Sequence, residues 1–229
     1  MQPEPGTCVW VVIAAYNEAS VIARVIADVG RHGYHIVVVD DGSADDTADV
    51  TNLAGATVVR HAVNLGQGAA LQTGIAYALH QNADLVVTFD ADGQHRAQDI
   101  AGLLDALAGS GADFALGSRF LGGSINLPAM RRTMLKVATW FTRATTGLYL
   151  TDTHNGLRAM TRRGASRIAL RQNRMAHASE LLEQIADSGL DYVEVPVTIE
   201  YSAYSLAKGQ KLRDAISILV DLSARRLHR

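Results

Sequence analysis

Two carboxylates stand one residue apart in the stretch Phe89-Asp90-Ala91-Asp92-Gly93-Gln94-His95. The residues before them, 84–89, predict a buried strand, so the carboxylates lie where that strand ends and a loop begins. Carboxylates spaced in this way can face one hard cation, and Mg²⁺ or Mn²⁺ bound by them also takes phosphate oxygens from a substrate. The stretch therefore predicts a metal that holds a diphosphate at the mouth of a parallel sheet.

These motifs also have other interpretations than a metal site. An Asp-x-Asp at a strand end is also ordinary turn chemistry, because Asp and Gly are favoured in turns. An EF-hand loop needs Gly at its sixth position and Glu at its twelfth, where this chain has His95 and Ala101. The glycine loop 64–70 resembles a dinucleotide-binding fingerprint, but Leu71 stands where that fingerprint needs Gly or Ala, which argues against a nicotinamide cofactor.

Composition limits the class of protein. The chain has 229 residues, of which 48% are hydrophobic, and a net charge of −2. These values suit one sizeable α/β domain and give no global electrostatic case for binding nucleic acid. The single cysteine, Cys8, excludes an intramolecular disulfide, fits a reducing compartment, and is expected in the core. The first residues do not resemble a signal peptide, and no uncharged apolar run approaches the length of a membrane span.

Apolar strands alternate with helices in the first half. The predicted strands cover 9–13, 36–39, 57–59 and 84–89, and the intervening helices are expected to begin at Asn17, Ser43 and the glycine loop. This alternation predicts a parallel, doubly wound sheet. Right-handed crossovers would bring Tyr16–Glu18, Asp40-Asp41 and Asp90–Asp92 to one edge, and such a cluster of carboxylates implies a cation or a hydrogen-bonding ligand.

The second half predicts shorter strands and amphipathic helices. Its predicted elements are a strand over 112–119, a helix over 128–146, a helix over 173–189, an edge strand over 192–199, a polar loop over 201–211 and a final amphipathic helix over 212–227. The helix over 128–146 carries aromatic and Met residues beside basic ones. It either packs on the core with a solvated basic face or lies in a membrane interface.

Four motifs in the first half together match a known pattern. They are Ala14–Glu18, Val39–Ser43, Asn64–Gly68 and Asp90–His95, and in this order they resemble the family-2 glycosyltransferases of the GT-A fold. Three later segments, Gly117–Arg119, Asp152–Arg158 and Lys208–Lys211, resemble the polyprenyl-phosphate branch of that family, of which dolichyl-phosphate mannosyltransferase is typical. The family usually has Pro where this chain has Ala14, and often Lys or Arg where it has Gln67.

The resemblance covers nearly the whole chain and implies a single α/β domain over 1–229 with the GT-A fold. Such a domain has a Rossmann-like, mostly parallel sheet flanked by helices, here with C-terminal amphipathic helices. It implies that residues 1–117 bind a GDP- or UDP-sugar and residues 118–229 bind the acceptor. The implied reaction is an inverting transfer of the sugar to a polyprenyl phosphate, with Mg²⁺ or Mn²⁺ as cofactor. The implied location is the cytoplasmic face of a membrane, bound peripherally.

The site residues implied by the resemblance fall into three groups. The metal site would use Asp90, Asp92 and Gln94, with Asp92 as the direct ligand essential for catalysis. The donor site would use Ala15, Tyr16, Glu18, Asp40, Asp41, Gln67, Gly68, Asp90, Ala91 and Lys208, whose loop is expected to close over the donor. The acceptor phosphate would contact Arg119 and Arg131, with Arg132 as the fallback, because arginine is well shaped for phosphate oxygens.

Three alternatives stay open on sequence alone. A sugar hydroxyl as acceptor, in cell-surface polysaccharide synthesis, would need a general base to remove its proton, and Glu180 is the first candidate. A non-catalytic nucleotide-sugar-binding protein could use the same fold, although the intact Asp90-Ala91-Asp92 argues against it. The apolar faces of the helices could pack against a second copy of the chain rather than a membrane. A nucleotidyltransferase is disfavoured, because residues 14–20 lack the Gly-rich basic loop that it needs.

Overall fold

The fold is built on one seven-stranded sheet, seen in a computed structural model that describes residues 6–172 and 176–201. The strands are β1 (Val9–Ala15), β2 (His35–Asp40), β3 (Thr57–Arg60), β4 (Leu85–Asp90), β5 (Phe114–Ile125), β6 (Arg158–Thr161) and β7 (Tyr192–Glu200). Their order is β3-β2-β1-β4-β6-β5-β7. All pairings are parallel except those of β6, which runs antiparallel to both β4 and β5. The predicted α/β class with a mostly parallel sheet is confirmed.

Helices cover both faces of the sheet. They are α1 (Ile22–Gly30), α2 (Thr47–Leu53), α3 (Gln67–His80), α4 (Asp99–Ser110), α5 (Ala129–Thr146), α6 (Arg162–Ala165) and α7 (Ala176–Ser188). The apolar residues of α1 and α4 form one core cluster with one face of the sheet. Those of α3 and α7 form a second cluster with the opposite face. Two buried layers explain why the central strands are apolar at successive positions rather than at alternate ones.

Strand β1 illustrates how tightly the layers pack. Val11 and Ile13 belong to the α1/α4 cluster, whereas Trp10 and Val12 belong to the α3/α7 cluster. Helix α3 approaches this strand closely at Gly74, where an added Cβ would lie 2.2 Å from Cγ1 of Val12. Gly74 therefore serves helix–sheet packing. Cys8, which was expected in the core, is only half-buried at its margin.

The loops after β1 and β2 correct two predicted helix starts. Asn17 does not cap α1: its backbone is left-handed, with φ of 54°, and its side-chain oxygen accepts from the Ala44 N–H at 2.9 Å. Ser43 does not cap α2, because its hydroxyl oxygen accepts from the Asn17 N–H at 2.9 Å. Both side chains tie one loop to the other, and α1 and α2 start four to five residues later, at Ile22 and Thr47.

Strand β5 is longer than predicted, because residues 120–125, which contain two glycines, continue it past Arg119. It pairs with β7 across an irregularity between Ser118 and Gly123. At Gly122 an added Cβ would lie 2.3 Å from the Val197 carbonyl oxygen, so a side chain there would separate the strands. Strand β7 lies at the edge of the sheet, as the Pro at position 196 predicted.

Within residues 6–172 and 176–201, no helix combines the length and apolarity needed to cross a bilayer. The predicted polar loop beyond residue 201 and the predicted final helix over 212–227 lie outside the described residues.

Candidate active site

A cavity of about 550 Å³ opens at the carboxyl ends of the parallel strands. The loops after β1, β2 and β4 meet there, together with the first turns of α3 and α7. Of the residues singled out in the sequence, those that line it are Ala15, Tyr16, Glu18, Asp41, Gln67, Asp90, Ala91, Asp92, Gln94, Arg119 and Arg131. The expected convergence of strand ends is therefore observed, at the position where open α/β sheets place ligands.

Asp90 is held on both carboxylate oxygens. His95 Nε2 lies 2.9 Å from Oδ2, and the Gln67 amide donates to Oδ1 at 3.3 Å. Gly156 makes room for this carboxylate, because a Cβ at that position would lie 2.2 Å from Oδ2. Burial by itself would raise the pKa of Asp90, but the His95 hydrogen bond and the charges of His95, Arg158 and His177 outweigh it and lower the pKa. Asp90 is therefore a fixed anion.

Asp92 has a different environment. Gln94 donates to it twice, from its backbone N–H to Oδ1 at 3.1 Å and from its side-chain amide to Oδ2 at 2.5 Å. Burial, and then the negative charge of Asp90, raise the pKa of Asp92 to about 6. A cation placed beside these two carboxylates would relieve their repulsion.

The ligand chemistry of this pair fits a hard divalent cation. Asp92 and the amide of Gln94 offer oxygen ligands, and in the described part of the chain no cluster of three or more His, Cys, Asp or Glu forms a complete metal cage. Mg²⁺ bound with phosphates uses this kind of partial protein coordination, with one or two carboxylates and substrate oxygens. The Gln94 amide would have to turn to present its oxygen, since its nitrogen now faces Asp92.

Asp41 organises the glycine loop. Its carboxylate accepts from the Leu65 N–H at 2.9 Å and from the Gly66 N–H at 2.7 Å, and it lies 2.8 Å from His61 Nδ1. The other ring nitrogen of His61 lies 3.0 Å from the Thr73 hydroxyl on α3. Asp41 lines the cavity and at the same time sets the position of the loop that forms the adjacent wall.

Two predicted donor residues are not brought to the cavity. Asp40 is fully buried, and its carboxylate pairs with Arg60 at 3.1 Å and accepts from the Ser43 N–H at 3.1 Å. It holds the turn after β2 instead of facing a ligand. Gly68 allows α3 to approach the segment before α7, because a Cβ there would lie 2.0 Å from the Gln172 carbonyl oxygen. Lys208 lies outside the described residues.

The two predicted phosphate-binding arginines differ sharply. Arg119 lines the cavity but is buried, pairs with Asp152 at 2.6 Å, and donates to the Tyr201 hydroxyl at 2.5 Å and to the His154 carbonyl oxygen. Burial would lower the pKa of Arg119, but Asp152 and Tyr201 outweigh it and raise the pKa. Most of its donors are therefore engaged within the protein.

Arg131, on the first turn of α5, lines the cavity and places its guanidinium 5.0 Å from the centre of the Tyr201 ring. A cation stacked on an aromatic ring keeps its hydrogen-bond donors at the rim of the guanidinium available. Arg132, the fallback candidate on the same turn, is exposed and is not part of the cavity lining. The structure thus favours Arg131 over Arg132 for a ligand in the cavity.

Glu180 does not face water as a surface helix carboxylate would. It is buried on α7, and its carboxylate accepts from the backbone N–H groups of Arg171 and Gln172 at 2.9–3.1 Å. It therefore holds the segment that precedes α7, and it is not part of the cavity lining.

Several cavity residues had no predicted role. These residues, in the polar loop over 151–158 and the strand that follows it, belong to a motif that by itself predicts no role for them: His154, Asn155, Gly156 and Arg158. Burial lowers the pKa of His154 to about 4, so this imidazole is neutral near pH 7. His177, on the first turn of α7, carries no sequence signal at all, because a single His on a helix is uninformative without the fold.

Comparison with known proteins gives a consistent result. The family described as Glycosyl transferase family 2 matches residues 10–170. A UDP-N-acetylglucosamine–dolichyl-phosphate N-acetylglucosaminyltransferase of Methanococcus voltae is 30% identical, over 93% of this chain and 94% of that protein. A polyprenol monophosphomannose synthase of Mycolicibacterium smegmatis is 32% identical, over 90% and 83% respectively. Glucosyl-3-phosphoglycerate synthase of Mycobacterium tuberculosis, solved with Mn²⁺, UDP and glucosyl-3-phosphoglycerate, superposes with a TM-score of 0.74 at 21% identity, covering 96% of this chain and 80% of that one.

Proposed function

The chain belongs to glycosyltransferase family 2, and we propose that it transfers a sugar from a GDP- or UDP-sugar to a polyprenyl phosphate. One observation carries this proposal: a single cavity is lined both by Asp90 and Asp92 and by Arg119 and Arg131. The carboxylates suit a metal-bound diphosphate, and the guanidinium groups suit a second anionic substrate. The names of the Methanococcus and Mycolicibacterium relatives, which specify dolichyl phosphate and polyprenol monophosphomannose, support a polyprenyl phosphate.

For the donor half of the site, we assign residues 1–117. Tyr16, Glu18 and Asp41 form the part of the cavity near β1 and β2, where a nucleoside would lie, and carboxylates can accept from ribose hydroxyls or a base N–H. Asp92 and Gln94 would hold Mg²⁺ or Mn²⁺, and Asp90 would help to orient this metal site. When bound, the metal supplies positive charge that stabilises the leaving diphosphate. The Mn²⁺ and UDP of the structural neighbour support this class of ligand.

The acceptor half is assigned to residues 118–229. A phosphate oxygen of the acceptor attacks the anomeric carbon, the bond from that carbon to the diphosphate breaks, and the nucleoside diphosphate leaves with the electron pair. Inversion follows from this single displacement. A phosphate is already an anionic nucleophile, so no side chain has to remove a proton from it.

The position of Glu180 supports a phosphate acceptor over a sugar hydroxyl. A hydroxyl acceptor needs a general base within hydrogen-bond reach, and the candidate base is occupied by the Arg171 and Gln172 backbone N–H groups outside the cavity lining. Arg131 reaches the cavity from α5 and would position the acceptor phosphate. We assign Arg119 to the same wall, where it also braces the loop that carries Asp152.

Helix α5 supports a location at a membrane surface. Leu135 and Thr142 pack inward, whereas Met130, Val137 and Trp140 are 64%, 47% and 70% exposed. The exposed basic residues Arg132, Lys136 and Arg143 follow a neighbouring strip of the same helix. An exposed apolar strip beside a basic one suits anionic lipid, and it belongs to the helix whose Arg131 reaches the cavity. We propose peripheral binding at the cytoplasmic face, with a second copy of the chain as the alternative occupant of this strip.

The test is a donor screen followed by a transfer assay. Thermal shift with Mn²⁺ across a panel of GDP- and UDP-sugars should identify the donor, because only a bound donor stabilises the folded state. Transfer from that donor is then measured to a polyprenyl phosphate in detergent and, separately, to soluble sugar acceptors. Product on the lipid phosphate, lost in EDTA, supports the proposal. Transfer only to a sugar hydroxyl would refute it in favour of the polysaccharide alternative, and binding with no transfer to either acceptor would favour a non-catalytic binding protein.

A further inference from the structure

We propose that Arg158, the first residue of β6, binds a phosphate oxygen of a substrate in the cavity. This inference rests on the proposed function for the identity of the substrate, and it gives a role to a residue that belongs to the Asp152–Arg158 motif but not to the predicted donor or acceptor site. It rests on one juxtaposition: a buried guanidinium with no hydrogen-bond or ion-pair partner among the described residues lies in a cavity that two helix N-termini also reach.

The strand fixes the direction of this side chain. Leu157 and Ala159, its two neighbours, both belong to the core cluster beneath α1 and α4, whereas Met160 belongs to the cluster beneath α3 and α7. Because side chains alternate along a strand, Arg158 lies on the α3/α7 side of the sheet. It pairs with Thr88 near the end of β4, which places it close to Asp90. The residue is only 4% exposed, yet it lines the cavity.

Among residues 6–172 and 176–201, no acceptor lies within hydrogen-bond distance of the Arg158 guanidinium and no carboxylate lies within 4 Å. Arg119 and Arg163 differ, since each is paired directly with an aspartate. Burial lowers the pKa of Arg158, and the charges of Asp90 and Asp152 offset this only in part. A buried charge without a hydrogen-bond or ion-pair partner is costly, so an anion bound beside this guanidinium would stabilise the folded protein.

The surroundings suit an anion with several oxygens. The first turns of α3, at Gln67, and of α7, at His177, both line the cavity, and these helices have 14 and 13 residues. A helix N-terminus directs backbone N–H groups and partial positive charge towards a ligand. A guanidinium presents a planar set of donors that matches phosphate geometry. Both substrates of the proposed reaction carry phosphate, so the ligand is either the donor diphosphate or the acceptor phosphate.

The competing explanation is that Arg158 only balances the charge of Asp90. A double-mutant cycle separates the two, because Asp90→Asn removes the charge that would need balancing. Arg158→Met removes the guanidinium at similar length, and it should fold at least as well as the wild type, because replacing a buried unpaired charge by an apolar group is not destabilising. If it does not fold, Arg158→Lys enters the same cycle, with an expected weakening of a few-fold from the lost planar geometry.

Affinities are measured by calorimetry in EDTA for two probes, a nucleoside diphosphate and a short-chain polyprenyl phosphate. We expect Arg158→Met to weaken one of them by about tenfold or more, the loss expected for a hydrogen bond to a charged group. The loss should be the same in the Asp90→Asn background. Loss for the nucleoside diphosphate identifies the donor, and loss for the polyprenyl phosphate identifies the acceptor. Arg162→Met is the matched control, because Arg162 donates to the Ala83 carbonyl oxygen outside the cavity and should leave both affinities unchanged.

Two results would overturn the inference: unchanged affinity for both probes, or a loss that disappears in the Asp90→Asn background. The proposed function can fail separately. If the wild type transfers sugar and Arg158→Met binds both probes normally, only the inference on Arg158 is wrong. If the wild type transfers nothing, the same cycle with inorganic pyrophosphate still tests the phosphate site.

Discussion

Replacing Asp92 by asparagine should stabilise the metal-free protein near pH 8 and at the same time abolish turnover. The two effects have one cause, because the carboxylate that would bind the metal is held beside a second carboxylate in a partly buried position. Asparagine keeps the shape, and its one amide oxygen can still accept from the Gln94 backbone N–H, while its NH2 group would face the Gln94 side-chain amide, which can turn to offer its oxygen. The change therefore removes charge with little change in packing. Stability and activity are expected to move in opposite directions, which a merely structural aspartate would not show.

The magnitude follows from the pKa of Asp92. The folded state raises this pKa from its usual value of 3.8 to about 6, so between these values the folded state binds more protons than the unfolded state. The stability that comes from the protonated carboxyl is therefore complete below pH 3.8 and is lost as the pH rises through about 6. Two pKa units correspond to about 3 kcal/mol, and solvent screening of this partly exposed group reduces the expected difference to roughly 1–3 kcal/mol.

The assay is urea denaturation in EDTA at pH 5 and pH 8. The wild type should lose stability relative to Asp92→Asn across this interval, and Mn²⁺ at pH 8 should restore it in the wild type only. Asp90→Asn is the matched control. Burial would raise the pKa of Asp90, but the hydrogen bond and charge of His95 outweigh burial, so that the pKa is lowered. A lowered pKa contributes stability above pH 3.8, so this variant should be less stable than the wild type at pH 8. If the free energy of unfolding changes in parallel with pH in the wild type and in Asp92→Asn, the reasoning is refuted.

Three further changes test other parts of the site. Gly156→Ala places a Cβ 2.2 Å from the Asp90 carboxylate and should lower kcat more than about tenfold; normal kcat would show that the carboxylate can shift without consequence. Asp41→Asn should weaken nucleoside diphosphate binding about tenfold in calorimetry, whereas Asp40→Asn should lower the denaturation midpoint and leave affinity unchanged; the reverse pattern would contradict the assignment of the two. Trp140→Glu should reduce co-sedimentation with anionic vesicles at low salt; equal binding would remove α5 from the lipid surface, and a dimer lost in this variant would point to a second copy.

Sequence patterns predicted the backbone of the site well, because strand ends are local and periodic features. Apolar runs located the four strands of the first half to within one or two residues, and the rule for right-handed crossovers placed Tyr16, Asp41 and Asp90 at one edge. Misplaced helix starts had a physical reason. Asn17 and Ser43 have the composition of caps, but their side chains hydrogen-bond across two loops, and no local pattern encodes a partner 26 or 27 residues away.

Side-chain roles were harder to predict, because a residue type does not reveal its partner. Arg119 and Arg158 look alike in sequence, yet Asp152 satisfies the first, and the second has no acceptor within hydrogen-bond distance among the described residues. Glu180 has the chemistry of a base, but two backbone N–H groups from the segment just before its own helix occupy its carboxylate. Such pairings depend on tertiary packing, which periodicity does not report.

The charges of the cavity explain why its two substrates and its metal would bind together. Burial and then the charge of Asp90 raise the pKa of Asp92, and burial lowers the pKa of Arg158. Each of these electrostatic costs would be reduced by a ligand of opposite charge, which is a cation at the carboxylates and a phosphate at the guanidinium. A metal-bound diphosphate carries both a positive and a negative charge, so its binding should be more favourable than that of the metal or the diphosphate alone. Nucleoside diphosphate affinity should therefore rise steeply with Mn²⁺ in the wild type, and Asp92→Asn should remove most of that rise.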